Sequence, residues 1–204
     1  MTLPITFGGD PEKAIATFDF DDIQNGTGTV TYNILTTRTD SVTGYTLLSD
    51  STNTSTRDTE MTTAGRDFTL TGFKFPRTIE GDAIFEVTTA TTSSSTGAED
   101  IIVEVLKNTT SIASVSNILP GASGVQTNIM LLTLPQTHFK IGDQLIINIS
   151  VGGGAPFHAF IEHDTLNRDQ AGYTPPGGIG NLPAVTAASN PTKARAFIPF
   201  KIDL

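Results

Sequence analysis

Short runs in which apolar and polar residues alternate recur along the chain from about residue 27, and this period of two predicts β-strands. Clusters of Gly, Pro, Asn, Asp or Ser separate the runs and predict turns between the strands. The runs are GTVTYNILTT, GYTLLS, DFTLTGFKF, AIFEVTTATT, DIIVEVLK, VQTNIMLLTL, QLIINISV, HAFIEH and ARAFIPFKI. The pattern predicts no helix of ordinary length, so the chain is expected to be all-β.

Two of the runs show the alternation most clearly. In QLIINISV, one face of the strand is entirely apolar and consists of Leu145, Ile147, Ile149 and Val151. In DIIVEVLK, the corresponding face consists of Ile101, Val103 and Val105. One strong apolar face per strand indicates antiparallel strands that each bury a single side against a core.

About nine strands separated by frequent turns suit an antiparallel β-sandwich, and a jelly roll of two four-stranded sheets is the favoured form. Because strand connectivity cannot be read from spacing, an immunoglobulin-like sandwich stays open as the alternative. We assign residues 18–204 to a single β-sandwich domain and residues 1–17 to a short N-terminal arm. The segment PEKAIATF at residues 11–18 fits a short helix with Asp10 as its N-cap and fits an extended entry into the first strand equally well.

Composition narrows the classes of function. The chain has 204 residues, no cysteine and a formal net charge of -9 at pH 7. Without cysteine it has no disulfide, thiolate metal site or cysteine nucleophile. Its Lys and Arg residues are scattered, which argues against a nucleic-acid surface because phosphate binding depends on clustered cations. No apolar stretch approaches the roughly 18 residues of a membrane span, so neither nucleic acid nor a membrane is expected as a partner.

The segment FDFDDIQNG brings Asp19, Asp21 and Asp22 close together and raises the question of a calcium site. An EF-hand loop needs oxygen ligands at positions one, three and five and glycine at position six. Counted from Asp19, position five holds Ile23 and position six holds Gln24, so the segment does not match the EF-hand motif. Asp19 and Asp21 instead fit the polar face of an alternating strand. No metal or other cofactor is predicted.

The segment HAFIEHDTLNRD and the loop after it hold a group of polar side chains that could contact a ligand or a partner. These residues are His158, Glu162, His163, Asp164, Arg168, Asp169 and Tyr173. On a strand, His158 and His163 project to opposite faces, which disfavours a metal site built from both. The structural alternative is a strand end followed by a polar turn in which Arg168 pairs with Asp164 or Asp169.

Enzyme motifs are absent from the sequence. The chain has no Gly-x-Ser-x-Gly elbow, no Gly-rich phosphate loop and no HExxH helix, and none of its 21 acidic residues stands out as half of a glycosidase pair. The chain is therefore expected not to be an enzyme. A carbohydrate-binding or host-recognition module is the alternative function. Sugar sites usually rest on aromatic platforms, but the chain has no Trp, and of its three tyrosines Tyr173 lies in the long loop expected from Asp164 to Thr192.

The stretch LPQTHFKIGDQLIINISV contains one of the three histidines and a Gly-Asp turn. Gly142 is expected to supply the backbone freedom of the turn, and Asp143 is expected to cap it before Leu145 opens the buried strand. His138 is expected to lie at the surface, in the connection before the turn. We interpret the stretch as scaffold and not as a site.

Four segments carry a resemblance to a group of known proteins: FKFPRTIEGDAIFEV, LPQTHFKIGDQLIINISV, FIEHDTLNRD and AFIPFKIDL. In these segments the chain resembles jelly-roll-like β-sandwich structural proteins of tailed phages and environmental viruses, over about residues 18–204. The residues that carry the resemblance are Pro76, Gly142, Asp143, Asp164, Arg168 and Pro199. We assign these residues structural roles, so the resemblance implies a location and no active site.

The resemblance implies a non-enzymatic virion structural protein, either a capsid decoration or cement protein or a tail-associated protein. Its expected partners are further copies of itself, most simply in a trimer, and other virion proteins such as the capsid shell. A glycan is a further candidate partner. In the arm, Leu3, Ile5 and Phe7 are the residues expected to contact a neighbour, by adding an edge strand or by anchoring on the shell.

Overall fold

The computed structural model of the chain describes residues 13–24, 31–37, 58–61, 63–70, 72–91, 99–119, 124–152, 159–162 and 194–202. These residues form eleven β-strands and no helix, so the prediction of an all-β protein is confirmed. They accordingly include no helix that is long and apolar enough to cross a membrane. The strands are β1 Lys13–Gln24, β2 Thr31–Thr37, β3 Asp58–Met61, β4 Arg66–Thr69, β5 Arg77–Thr91, β6 Glu99–Lys107, β7 Thr110–Leu119, β8 Gly124–Phe139, β9 Leu145–Gly152, β10 Ala159–Glu162 and β11 Ala194–Ile202.

The predicted apolar faces of β6 and β9 are both buried. In β9, Leu145, Ile147 and Ile149 are buried and Val151 is partly buried against the core, whereas Ile146 and Asn148, which alternate with the buried residues, are partly exposed. The buried residues of β6 are Ile101, Val103 and Val105. This alternation arises because successive side chains of a strand point to opposite sides, and only one side meets the core.

Eight of the strands pair as nested hairpins. β6 pairs with β7, β5 with β8, β4 with β9 and β3 with β10, and all four pairs are antiparallel. Two further ladders, between β10 and β5 and between β9 and β6, join these pairs into two layers with the orders β3-β10-β5-β8 and β4-β9-β6-β7. Successive nested pairs therefore alternate between the layers, which is the winding of a jelly roll. The predicted antiparallel β-sandwich is confirmed.

Three strands extend the first layer. β11 pairs with β5 along residues 77–87, on the same edge that β10 occupies along residues 89–91. β1 pairs with β11, and β2 pairs with β1. A single parallel bridge between Ile34 and Thr69 then links β2 to β4 of the second layer. The hydrogen-bonded ladder therefore continues from one layer to the other.

The core lies between the two layers and takes side chains from both. The first layer supplies Phe85 and Phe139, and the second supplies Phe68 together with the aliphatic residues of β6 and β9. Phe73, in the connection between β4 and β5, packs edge-on against Phe139 with ring centroids 5.2 Å apart. Complete burial of side chains of this size contributes about 1.5–3 kcal/mol each, so this core is the main source of stability.

Several strand boundaries differ from those expected. β1 begins at Lys13, so residues 13–17, assigned to the arm, form a strand that pairs with β11, and the helical alternative for this segment is excluded. β7 was not among the predicted strands, because its sequence shows no clear apolar face and most of its side chains are exposed. The predicted strand GYTLLS lies outside the described residues.

Candidate functional site

Most of the polar residues predicted as a ligand or partner contact lie outside the described residues. These are His158, His163, Asp164, Arg168, Asp169 and Tyr173. Glu162 is the last residue of β10, where its backbone is paired with Asp58 of β3. The arm residues Leu3, Ile5 and Phe7 also lie outside the described part of the chain. The contacts expected of all these residues therefore stay predictions.

The acidic segment at residues 19–22 forms part of a regular strand. It lies in β1, where Asp19 is paired with Arg195 of β11 on one side and with Thr36 of β2 on the other. A strand paired on both sides is extended, which fits the alternating strand predicted from the sequence. Among the residues that the structure describes, no group of three or more His, Cys, Asp or Glu side chains is placed to hold a metal ion.

The turn that joins β8 to β9 has the form predicted from the sequence. The backbone N–H of Asp143 donates to the carbonyl of Lys140 over 3.1 Å, which closes a four-residue turn. Gly142, the third residue, has a φ of 89°, the positive value that a type II turn requires at this position. Asp143 Oδ2 accepts a hydrogen bond from the Lys140 backbone N–H over 2.8 Å, so its capping role is confirmed.

Residues of the turn between β6 and β7 hold this turn from the side. Asn108, with a φ of 55°, donates from Nδ2 to Asp143 Oδ1 over 3.1 Å and accepts from the Gln144 N–H over 2.8 Å. Lys107 Nζ lies 3.1 Å from Asp143 Oδ2 and donates to the carbonyl of His138 over 2.7 Å. All of these bonds join parts of the chain to one another, which supports the interpretation of this stretch as scaffold.

The same contacts lower the pKa of Asp143 from its ordinary 3.8 to about 2. The hydrogen bond from the Lys140 backbone N–H contributes most, and the bonds from Asn108 and Lys107 follow. Hydrogen bonds of this kind favour the charged form of a carboxyl group. Asp143 is therefore ionised at ordinary pH and acts as a fixed acceptor, whereas a general acid or base needs a pKa near the working pH.

His138 is exposed, as predicted, but it lies in β8 and not in a connection. Its Nδ1 is 3.3 Å from the hydroxyl of Thr78, its cross-strand neighbour in β5. β8 continues past Pro135 because the β5–β8 pairing resumes after a register shift between Ile79 and Gly81. Proline is tolerated in an edge strand, and β5 is the one described strand that pairs with β8, which the sequence alone did not indicate.

The outer face of the first layer carries large, exposed apolar side chains. Ile129 and Leu131 of β8 are 65% and 61% exposed, and Ile84 of β5, the cross-strand neighbour of Leu131, is 40% exposed. Phe197 of β11, which is paired with Ile84, is partly exposed, and Ile15 of β1 is 67% exposed. We refer to these five residues as the outer apolar face. Single apolar residues on a surface are normal, but a contiguous group marks an interaction site.

The outer apolar face was not predicted, although the sequence contains a signal for it. In the run NIMLLTL at residues 128–134, Met130, Leu132 and Leu134 alternate with Ile129 and Leu131, so both faces of the strand are largely apolar. Such a strand is either covered on both sides or exposes apolar surface. In the structure, Met130, Leu132 and Leu134 are buried, whereas Ile129 and Leu131 are exposed. The strand therefore exposes apolar surface on one side.

Comparisons with known proteins identify no family for the chain. No protein-family model and no curated protein matches it. Among solved structures, it is similar to an aminopeptidase from the marine sediment archaeon Thaumarchaeota archaeon, with 10% identity and a TM-score of 0.42 over 67% of this chain and 25% of that chain. A CocE/NonD family hydrolase from Staphylococcus aureus matches over 91% of this chain and 37% of its own, with 9% identity and a TM-score of 0.48.

A viral structure is also similar to the chain. The structure of infectious bursal disease virus Gt strain matches over 100% of this chain and 58% of that chain, with 11% identity and a TM-score of 0.19. The chain thus spans less than two thirds of the length of each of the three structures. With TM-scores of 0.48 or lower, these likenesses transfer no activity or assembly to this chain. The class that the fold defines is a jelly-roll β-sandwich.

Proposed function

We propose that the chain is a non-enzymatic virion structural protein that assembles on a particle surface, as a capsid decoration or tail-associated component. Viral capsid domains share the jelly roll with lectins and cupins, so the fold allows this role without selecting it. The resemblance of segments such as FKFPRTIEGDAIFEV and LPQTHFKIGDQLIINISV to structural proteins of tailed phages and environmental viruses favours the virion among these classes.

The observation that carries the proposal is the outer apolar face. Ile129, Leu131 and Ile84 are neighbours on two paired strands, and each leaves a large part of an aliphatic side chain in water. Covering apolar surface contributes about 25 cal/mol per Å², so this face favours association with a second molecule. Subunits of a repeated assembly need such a face, whereas a protein that acts alone gains nothing from it.

The charge of the chain suits a position on the outside of a particle. With a net charge of -9, the protein repels the phosphates of a packaged genome and does not compete with the genome's own binding proteins. A negative surface also keeps a protein soluble at the high local concentration of a particle surface. Both effects agree with a decoration or tail-associated role.

The direct test is the protein content of purified particles encoded by the genome that carries this sequence. Particles are banded in a density gradient, washed in high salt, and analysed by quantitative mass spectrometry. We expect the chain to be present at a constant ratio to the main shell protein. Complete absence of the chain from particles that are otherwise intact would contradict the proposal.

Size-exclusion chromatography with light scattering tests assembly in solution, on the full chain and on a variant that lacks residues 1–12. We expect a homo-oligomer that the deletion weakens, because Leu3, Ile5 and Phe7 are the predicted arm contacts. A monomer that still binds purified particles identifies a decoration protein that needs the lattice. A monomer that binds no particle counts against the proposed function.

A further inference from the structure

Among the described strands, β8 forms an edge of the first layer. It pairs with β5 along its length, from Thr91 opposite Gly124 to Arg77 opposite Phe139, and no other described strand is hydrogen-bonded to it. β7 approaches β8 but belongs to the second layer, where it pairs with β6. The other edge of β8 therefore presents backbone N–H and C=O groups that no described strand pairs. An open edge of this kind is a template for one more strand.

This edge lacks the charges that usually protect exposed strands. From Val125 to Thr137 the sequence contains no Asp, Glu, Lys, Arg or His. Edge strands of monomeric proteins commonly carry charged residues, above all Lys, which prevent pairing with another chain. Because the net charge of this chain is -9, two copies repel each other over much of their surfaces. A strand without charge is the place where they approach at the lowest electrostatic cost.

Pro135 limits how much of the edge can pair. Proline has no N–H group to donate to a further ladder, so an added strand is confined to the part of β8 that precedes it. That part, residues 125–134, is about 33 Å long at about 3.3 Å per residue. It is long enough for a stable ladder and contains both exposed residues of β8 that belong to the outer apolar face.

An added strand would continue an apolar row that already crosses the layer. Phe197, Ile84 and Leu131 are successive cross-strand neighbours on β11, β5 and β8. The row ends at the open edge, where Leu131 and Ile129 stay exposed. A neighbouring strand with large aliphatic side chains on the same face would extend the row and remove both residues from water.

We propose that this strand is β8 of a second copy of the chain, paired antiparallel about a two-fold axis near Met130. A strand that pairs antiparallel with its own copy is self-complementary, because every contact occurs twice. With the axis at Met130, Leu131 lies opposite Ile129 of the second copy, and the reverse contact is identical. Directly opposite residues of antiparallel strands have Cβ atoms about 4.5–5.5 Å apart, a separation at which apolar pairs stabilise a sheet.

This contact goes beyond the virion role and does not depend on it, because it needs no particle. It also differs from the trimer that the resemblance implies, since a two-fold contact by itself produces a dimer. The resulting dimer has a first layer that runs continuously through both copies, with the two outer apolar faces side by side.

Light scattering over a dilution series of the full chain tests the contact. We expect the wild-type chain to form a dimer that dissociates on dilution. Leu131→Lys introduces two ammonium groups into each dimer, and we expect the dimer Kd to rise by about 10-fold or more. Ile141→Lys is the matched control, because Ile141 is 68% exposed but lies in the turn after β8. It should leave the Kd unchanged, and thermal melts establish that both variants fold.

A charge-pairing experiment tests the register. Ile129→Glu should weaken the dimer in the same way as Leu131→Lys. In a mixture of the two variants, the proposed register places the introduced ammonium group of one copy opposite the introduced carboxylate of the other, and keeps an apolar pair at the second contact. Native mass spectrometry should therefore detect the mixed dimer in excess over either pure dimer.

Three results would overturn the contact: a wild-type chain that stays monomeric at every concentration, equal dimer Kd values for Leu131→Lys and Ile141→Lys, or the absence of a mixed dimer from folded variants. Particle binding by Leu131→Lys separates this inference from the proposed function. If Leu131→Lys no longer forms the dimer but still binds particles, the β8 contact is confirmed and the virion role is unaffected. A dimer without particle association confirms the contact and contradicts the virion role.

Discussion

Asn108 and Asp143 lie on two different turns and are joined by a hydrogen bond of 3.1 Å from Asn108 Nδ2 to Asp143 Oδ1. The backbone N–H of Asn108 donates to the Gln144 carbonyl over 2.9 Å, and the Asn108 side chain accepts from the Gln144 N–H over 2.8 Å. The turn between β6 and β7, which belongs to the second layer, is thereby tied to the connection that leads from β8 in the first layer to β9 in the second. This contact helps to set the relative position of the two layers.

Asp143→Asn is expected to destabilise the protein at pH 7 and to have little effect at pH 2. The pKa of Asp143 is lowered to about 2 in the folded chain. A lowered pKa means that the ionised carboxylate adds stability above its ordinary pKa of 3.8, and that this stability is lost as the pH falls toward 2. Urea midpoints of both proteins, measured from pH 7 to pH 2, test the prediction. Asp100→Asn controls for the change in net charge. A stability difference between Asp143→Asn and wild type that does not vary with pH would contradict the prediction.

Gly142→Ala is expected to cost about 1–2 kcal/mol, through backbone strain alone. The φ of Gly142 is 89°, and a Cβ at this position would meet no atom within 4 Å, so no steric clash contributes. Gly142→Asn should cost less, since asparagine tolerates a positive φ better than alanine does. Urea denaturation of the three proteins measures both differences. Equal costs for the two variants would show that the turn relaxes to another type.

Phe85→Ala is expected to cost about 3–5 kcal/mol, because it removes a fully buried ring from the centre of β5. Ile147→Val, in the facing layer, should cost about 0.5–1.5 kcal/mol, since it removes one buried methyl group. Both free energies of unfolding come from denaturant titrations monitored by circular dichroism. Ile141→Ala, at an exposed position, should stay within about 0.5 kcal/mol of wild type. A cost for Phe85→Ala no larger than that of Ile147→Val would contradict the packing of the two layers.

Asn128→Ala is expected to cost about 1–3 kcal/mol, because Asn128 is a buried polar residue of β8 with several partners. Its Nδ2 donates to Thr89 Oγ1 over 3.1 Å and to the Val87 carbonyl over 3.4 Å, and its Oδ1 accepts from Gln126 Nε2 over 2.9 Å. Gln126→Ala removes only the last of these bonds and should cost less. Thermal unfolding of both variants by calorimetry provides the comparison. A larger loss of stability for Gln126→Ala than for Asn128→Ala would contradict the prediction.

Local features were predicted correctly where their causes are local. The positive φ of Gly142 and the capping by Asp143 follow from turn chemistry that involves four residues. The buried face that begins at Leu145 follows from side-chain alternation within one strand. β7 was not predicted, because its own sequence carries no clear local signal for a strand. Ser114 and Ser116 alternate with Ala113, Val115 and Asn117, so neither face of the segment is clearly apolar, and the strand forms because β6 pairs with it.

The two candidate sites also differ in whether the sequence predicted them. The polar group around His158 and Asp164 was predicted from sequence density, and it lies outside the described residues, so it stays a prediction. The outer apolar face was not predicted, because the exposure of Leu131 depends on which strands lie above and beside it. No pattern within residues 128–134 distinguishes a strand covered on both sides from a strand at an open edge.

By itself, the sequence determined that the chain is all-β, which face of β6 and of β9 is buried, and where the turn after β8 lies. These features depend on side-chain alternation and turn residues that act over a few positions. Only the tertiary structure decided that the hairpins are nested, that Ile84 lies opposite Leu131, and that β8 lies at the edge of its layer among the described strands, with Ile129 and Leu131 exposed. Such features depend on pairing between strands far apart in the chain, because burial at any position is set by distant neighbours and not by adjacent residues.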